Sequence, residues 1–499
     1  MRTGHVVSVL AIGALGFALA SCASSAPPPK VAYQPPKAPV HAVGQDHSAL
    51  IAGPFAKPQE VTAACLGCHS DASNQVMKTV HWTWTYKDPT TGQDLGKKNV
   101  INNFCISLPA NEPRCTSCHI GYGYTDAQFD FTNANNVDCL VCHADPKVYR
   151  KFPAGAGLPV LGEAAKEFPA GSGVMFQPVD LLKAAQSVRL PDRGNCGSCH
   201  FNGGGGDAVK HGDLDTTLTN PPRTLDVHMG TDGANMTCVD CHGGSSHEIA
   251  GRIYTGEKRI GCVDCHTGVS APHQGNPVLA RHAQKIACQT CHIPAFARGQ
   301  ATKMTWDWST AGQLDANGKP IMKKDAEGHV IYDGQKGSFT SAKDVIPTYR
   351  WWNGTTNYLT VKDKIDPSKV VNLAAVKGSR SDGLITPFKV FTGKQPYDSV
   401  NNTMVAPNLF PNNPSDNDAY WKTYDWQRAI TSGMKTVGAP YSGQYAFVAT
   451  EFSWVQNHMV APKENALSCD DCHSAKGRLD FVALGYSADE AKKLQAPRK

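Results

Sequence analysis

The chain has 499 residues, with 48 Lys and Arg against 43 Asp and Glu and a net charge of +5. So small an excess excludes a polybasic nucleic-acid binder and an acidic tail protein, and no nucleic-acid partner is expected. Its 18 Cys are too many for a reduced cytosolic enzyme unless they carry a metal or cofactor.

Arg2 precedes an apolar run from Val6 to Ala20 that is too short to span a bilayer and is followed by small residues. Residues 1–21 therefore read as a secretory signal peptide. The end of the run, Leu19-Ala20-Ser21-Cys22, resembles a bacterial lipobox. That resemblance implies cleavage before Cys22 and diacylation of its thiol; ordinary signal cleavage with Cys22 as a bystander is the alternative. Ala23 stands where an Asp would imply inner-membrane retention, so the expected location is the periplasm, as a lipoprotein anchored to the outer membrane. Residues 22–57 are rich in Pro, Ala and Ser and read as a solvated, semi-extended tether.

Sixteen of the cysteines then fall in eight copies of Cys-x-x-Cys-His. In chain order these are Cys65/Cys68/His69, Cys115/Cys118/His119, Cys139/Cys142/His143 and Cys196/Cys199/His200, followed by Cys238/Cys241/His242, Cys262/Cys265/His266, Cys288/Cys291/His292 and Cys469/Cys472/His473. The spacing attaches a c-type haem: two thioethers hold the porphyrin edge and the adjacent His serves as axial ligand. Zinc sites and disulfides also use paired cysteines, but neither needs a His after every second Cys. Eight covalently attached haem c groups follow.

Seven motifs occupy residues 65–292, about 33 residues each, too few for a protein core around every haem. The expectation is a mainly α chain with much irregular coil and little β, wrapped around a stacked haem array that forms its core. It divides into a haem-rich domain (58–300, seven haems), a haem-free aromatic-rich excursion packed on the array (301–460) and a C-terminal segment with the eighth haem (461–499).

Each iron needs a second axial ligand. Eight histidines outside the motifs are candidates: His47, His81, His211, His228, His247, His273, His282 and His458. Bis-His ligation closes an iron and suits electron transfer. Counting alone leaves all eight irons able to close.

Two features break this pattern. Cys105, in Asn102-Asn103-Phe104-Cys105, is the thiol left after haem attachment and lipidation. It reads either as a small buried hydrophobe or, beside haem iron, as a nucleophile for sulfur–sulfur exchange. Gly203-Gly204-Gly205-Gly206 precedes Asp207-Ala208-Val209-Lys210-His211. The glycines allow close backbone approach, a buried Lys can lose its proton and act as a ligand, and Asp207 lies one helical turn before Lys210.

These stretches, with Arg114-Cys115-Thr116-Ser117-Cys118-His119-Ile120-Gly121-Tyr122-Gly123, Thr302 to Trp308 and Tyr441-Ser442-Gly443-Gln444-Tyr445, resemble the octahaem tetrathionate reductase family over essentially the whole mature chain. The resemblance implies an active-site haem on Cys115, Cys118 and His119, with Lys210 as distal ligand and Asp207 and Cys105 beside it as catalytic residues. It also implies seven bis-His relays and reduction of tetrathionate, with nitrite or hydroxylamine as further substrates. Expected partners are a small anionic substrate and a redox donor, either a cytochrome or a quinol-linked dehydrogenase. A non-catalytic multihaem conduit at the outer membrane is the alternative function. Eight candidate His for seven relays leaves one over, and His47, nearest the tether, is the first suspect.

Overall fold

The computed structural model describes residues 46–496 apart from 90, 244, 250, 252–259, 268–272 and 274. The signal peptide, Cys22 and most of the tether lie outside the described residues. Among those described, no helix is long and apolar enough to cross a membrane.

The haem-motif half is built of short helices and coil. Single helical turns carry Cys139–His143, Cys238–His242 and Cys288–His292, and the helix Arg193–His200 carries the fourth motif. One turn places the two Cys and the His of a motif on adjoining positions of one face. Acidic side chains nucleate several of these turns: Asp138 caps Val141 N–H, and Asp192 caps Gly194 and Asn195. The second motif departs from this geometry. A helix over Glu112–Cys115 passes into a 3-10 turn over Thr116–Cys118, leaving His119 in extended backbone.

The expectation of a mainly α chain with little β fails beyond residue 300, where a ten-stranded mixed sheet forms. Its strands are β1 (Thr302–Asp307), β2 (Met322–Lys324), β3 (Val330–Asp333), β4 (Gly337–Ala342), β5 (Thr348–Trp352), β6 (Thr356–Tyr358), β7 (Val371–Val376), β8 (Leu384–Asp398), β9 (Thr403–Met404) and β10 (Tyr445–Val455). The order is β6-β7-β10-β8-β1-β4-β3-β2, with β5 and β9 also on β8. The spine is the antiparallel β8–β10 pair, in register from Phe388 opposite Val455 to Asp398 opposite Tyr445.

The reason for the miss lies in β8. Five consecutive residues, Ile385 to Lys389, are buried, so no alternation of apolar and polar side chains marks the strand. It also contains Pro387 and Pro396, which ordinarily argue against a central strand. The helix Trp426–Thr436 covers this region with a buried stripe of Trp426, Ala429, Ile430, Gly433 and Met434. A side chain at Gly433 would collide with the Ala406 carbonyl, so the helix packs directly on backbone.

One hydrophobic core joins the sheet to the haem-motif half. Trp306, Trp308, Phe391, Phe452 and Trp454 from the excursion cluster with Val100, Ile101, Ile106 and Val209. These last four flank Cys105 and Lys210, so the sheet is the platform on which both loops rest.

Candidate active site

Among the described residues, the structure places a second histidine opposite seven of the eight motif histidines. Ring centres are 6.4 Å apart for His69 and His47, 6.1 Å for His200 and His81, and 6.4 Å for His143 and His247. The other four pairs are His242 and His458 at 6.1 Å, His266 and His228 at 6.1 Å, His292 and His273 at 6.2 Å, and His473 and His282 at 6.0 Å. Two imidazoles bound end-on to one metal, each through a bond of about 2 Å, have centres about 6 Å apart. Several rings are also oriented for this. His143 Nδ1 lies 3.0 Å from the Arg189 carbonyl, His473 Nδ1 2.6 Å from that of Leu494 and His247 Nδ1 2.8 Å from Gln75 Oε1. Donation from Nδ1–H to these oxygens leaves Nε2 for a metal.

His47, the first suspect from counting, thus has a ring opposite it. Among the described residues the leftover candidate is His211, which packs against Trp454 at 5.0 Å.

The motif thiols are not uniformly enclosed. Cys68, Cys262 and Cys469 are exposed, whereas the other thirteen are partly buried. For Cys68 the cause is local. The helix Pro58–Leu66 ends before it, with Gly67 as its cap, so Cys68 falls in the solvent-facing turn that follows while Cys65 stays on the helix. The spacing still holds the motif together. Cys68 N–H donates to the Cys65 carbonyl at 3.1 Å and His69 N–H to the same oxygen at 2.8 Å, which keeps both thiols and the ring within one turn. Cys68 therefore fits as the outer anchor of the first haem, at an edge open to solvent.

His119 differs from the other seven motif histidines. It is fully buried, in a box of Trp82, Trp84, Tyr124, Phe129 and Phe131. Its Nδ1 accepts the Gly121 N–H at 3.0 Å and its Nε2 lies 2.6 Å from the Trp82 carbonyl, so both ring nitrogens are engaged by backbone and ligation through Nε2 would have to replace the Trp82 contact. Burial holds its pKa down at about 3, so the ring stays neutral.

Around this motif gather the two residues that broke the pattern. Arg114, next to Cys115, donates from Nη2 to the Gly205 carbonyl at 3.3 Å, which ties the Lys210 loop to this motif. Lys210 Nζ sits 4.6 Å from the centre of the Trp454 ring. Burial pulls its pKa down to about 7, helped by Lys97 and opposed by Cys118. The glycine loop explains the proximity. Gly204 and Gly205 have φ of +83° and +94°; a Cβ on Gly204 would meet Val209, Phe104 and Lys210, and one on Gly205 would lie 3.7 Å from Cys105 Sγ.

The Cys105 loop is clamped from the sheet. Asn103 Nδ2 donates to the Phe391 carbonyl at 2.6 Å, Gln395 Nε2 to that of Asn102 at 2.7 Å and Trp308 Nε1 to that of Phe104 at 3.0 Å. Ile106, the next residue, is buried at φ +65°, a left-handed conformation that strains a β-branched side chain by about 1–3 kcal/mol. Burial pushes the Cys105 thiol pKa up, while Arg114, Lys336 and Lys303 pull it back. Desolvation dominates, so the resting sulfur is a protonated thiol in cationic surroundings.

Asp207 does not turn toward Lys210. Its carboxylate accepts Thr216 N–H at 3.0 Å, the Thr216 hydroxyl, and Gln300 Nε2 at 2.7 Å. It anchors the start of the Lys210 loop. Met229 and Met459, which adjoin candidate ligands in sequence, instead pack together in a core with Phe201, Leu218 and Leu225.

A solved structure of an octahaem cytochrome c from Shewanella oneidensis matches 91% of this chain and 99% of its own, at 44% identity and a TM-score of 0.79. The chain belongs to the octahaem c-type cytochromes. A family described as bacterial cytochrome c matches residues 303–476 of this octahaem cytochrome, which takes in most of the sheet and the eighth motif. An uncharacterised protein of Archaeoglobus fulgidus is 26% identical over 241 residues, covering 41% of this chain and 80% of its own. Covalently attached haem c fits what the structure offers. Among the described residues all sixteen motif cysteines are free thiols, and seven ring pairs stand at the separation one iron would bridge.

Sequence reasoning missed Lys389, which no local signal distinguishes from a surface lysine. In this octahaem cytochrome it is fully buried on β8. Its Nζ donates to the carbonyls of Val209 at 2.9 Å and Lys210 at 3.3 Å and to Thr302 Oγ1 at 2.6 Å. Thr302 in turn donates to the Ala208 carbonyl at 2.8 Å. Lys389→Met should therefore destabilise the protein by about 2–4 kcal/mol, because buried acceptors lose their donor. Denaturant melts and limited proteolysis between residues 203 and 211 read this out, and unchanged melts with no new cleavage would refute the clamp.

Proposed function

We propose that this octahaem cytochrome is a periplasmic reductase of small oxidised sulfur anions, tetrathionate foremost. Its site is His119, Lys210 and Cys105, with Asp207 holding the base of the Lys210 loop. The seven histidine pairs serve as bis-His electron-transfer positions, fed by a periplasmic cytochrome or a quinol-linked dehydrogenase. One observation carries the reading: among the described residues seven motif histidines lie opposite a second histidine, whereas His119 has none opposite it and has the Lys210 loop and the Cys105 thiol beside its motif.

When bound, haem c supplies one-electron redox centres whose potentials follow their axial ligands. The chain's own residues account for the choice of substrate. Arg114, Lys303 and Lys336 set a positive potential around Cys105, which favours a dianion. Lys210, with a pKa of about 7, is available as ammonium or amine near neutral pH. With haem held by Cys115, Cys118 and His119, Lys210 would be the group on hand to ligate or release it as its amine, and as ammonium it would offset the substrate's charge. Tetrathionate takes up two electrons, its central S–S bond breaks and two thiosulfates leave, with no proton consumed. The Cys105 thiol offers a polarisable sulfur and a weak S–H donor to that bond.

Cys105→Ser removes the sulfur and keeps the size. Turnover of tetrathionate with a dye electron donor should fall about a hundredfold, the scale of one well-placed transition-state contact, while nitrite and hydroxylamine rates stay within about twofold. Undiminished tetrathionate turnover would exclude Cys105 from the site and move the reading toward nitrogen substrates.

A further inference from the structure

Asp213 lies three residues beyond Lys210 in the same loop and is 1% exposed. Its Oδ2 accepts the N–H groups of Asn457 at 2.7 Å and His458 at 2.9 Å, and lies 3.2 Å from His458 Nδ1. Its Oδ1 is 4.0 Å from His211 Nδ1 and has no hydrogen-bond partner of its own. Three other paired rings meet neutral acceptors. His143 and His473 face backbone carbonyls and His247 faces an amide oxygen, all neutral acceptors. His228 Nδ1 stands 3.9 Å from Asp226, beyond hydrogen-bond reach, and that carboxylate is already occupied by the N–H groups of His228 and Met229.

A buried carboxylate on Nδ1–H is a stronger acceptor than a carbonyl and gives the imidazole more imidazolate character. A more basic axial ligand favours ferric over ferrous iron and so lowers the reduction potential. We propose that Asp213 is a positioning residue that lowers the reduction potential of the haem held between His242 and His458. This rests on the pairing of His242 with His458 proposed above.

The test uses holoprotein with all eight haems. In redox titrations followed by visible and EPR spectra, Asp213→Asn should move one step positive by at least a tenfold change in its equilibrium, ~59 mV for one electron, and Asp213→Glu should restore it. In Asp213→Asn, one near-infrared bis-His charge-transfer band should move to lower energy, because weaker donation makes that ferric iron easier to reduce. An unmoved Asp213→Asn titration overturns the proposal. If that variant fails to load its haems, Asp213→Ser takes its place: one step moved positive sustains the proposal and an unmoved titration overturns it. His458→Met separates the underlying reading: if all seven bis-His signals survive, the pairing itself is wrong, whereas loss of one leaves the pairing intact whatever Asp213 does.

Discussion

Lys210→Ala is expected to lower tetrathionate turnover at least a hundredfold and to convert one haem, and one alone, to a high-spin EPR signal. Removal of a single preorganised charge or acid–base group costs about 10²–10⁴ in rate. The loop that carries Lys210 is held by Lys389 and Thr302, its side chain lies over Trp454, and Asp207 is engaged elsewhere. The pair of readouts matters. A merely structural lysine would lower the melting temperature without changing the spin state of one haem, and a pure electron conduit would show eight closed haems in the unaltered protein. Lys210→Arg should not rescue, because a guanidinium stays protonated and its planar fork cannot replace a point donor that loses its proton near pH 7. Unchanged turnover of Lys210→Ala with every sulfur and nitrogen substrate would sink the assignment.

Asp138→Ala should cost about 3–5 kcal/mol, the scale for breaking a buried ion pair. Asp138 precedes Cys139 and is fully buried; Lys151, 7% exposed, pairs with it at 3.1 Å. Its Oδ1 accepts the Tyr122 hydroxyl at 2.8 Å and the Val141 N–H at 3.0 Å, and its Oδ2 accepts the Tyr149 hydroxyl at 2.8 Å. Burial and the carboxylate itself push both phenols well above their usual pKa, so they remain donors. Lys151 also donates to the His119 carbonyl. One carboxylate thus ties the second haem motif to the third and caps the third motif's helical turn. Substitution leaves an uncompensated ammonium and two unpaired hydroxyls behind His119. Asp138→Asn should recover part of the loss, since an amide keeps one acceptor oxygen but sets NH₂ against a donor. Denaturant midpoints of the holoprotein and haem content per chain measure the effect. A loss below about 1 kcal/mol for Asp138→Ala would show the network to be peripheral.

Much of the candidate site was legible from residue order. Cys-x-x-Cys-His is a local motif because its three groups reach one porphyrin edge from a single turn of chain, so spacing alone carries the chemistry. Spacing did not tell which anchors face solvent: Cys68 and Cys142 hold the same position in their motifs, yet the first is exposed and the second partly buried. Cys105 and Lys210 stood out by exception, a thiol without a motif and a lysine behind four glycines. The sheet was not legible: Ile385 to Lys389 are buried on both sides of β8 and two prolines interrupt it, so neither period nor propensity announced a strand. Nor was the leftover histidine. His211 and His47 are indistinguishable as letters, and only the fold shows one against Trp454 and the other 6.4 Å from His69.

The amino-acid order by itself determined how many haems the protein carries and where each is attached, because covalent attachment depends on groups within five residues of one another. Tertiary structure alone decided which histidines face each other, since partners such as His242 and His458 are more than 200 positions apart and no local rule links them. It also decided that the haem-free stretch after residue 300 is a ten-stranded sheet whose buried Lys389, Gln395 and Trp308 hold the Lys210 and Cys105 loops in place. The physical reason is the same in both cases. Burial and long-range hydrogen bonds belong to the packed chain, and they turn ordinary residues into a clamp that sequence periodicity cannot encode.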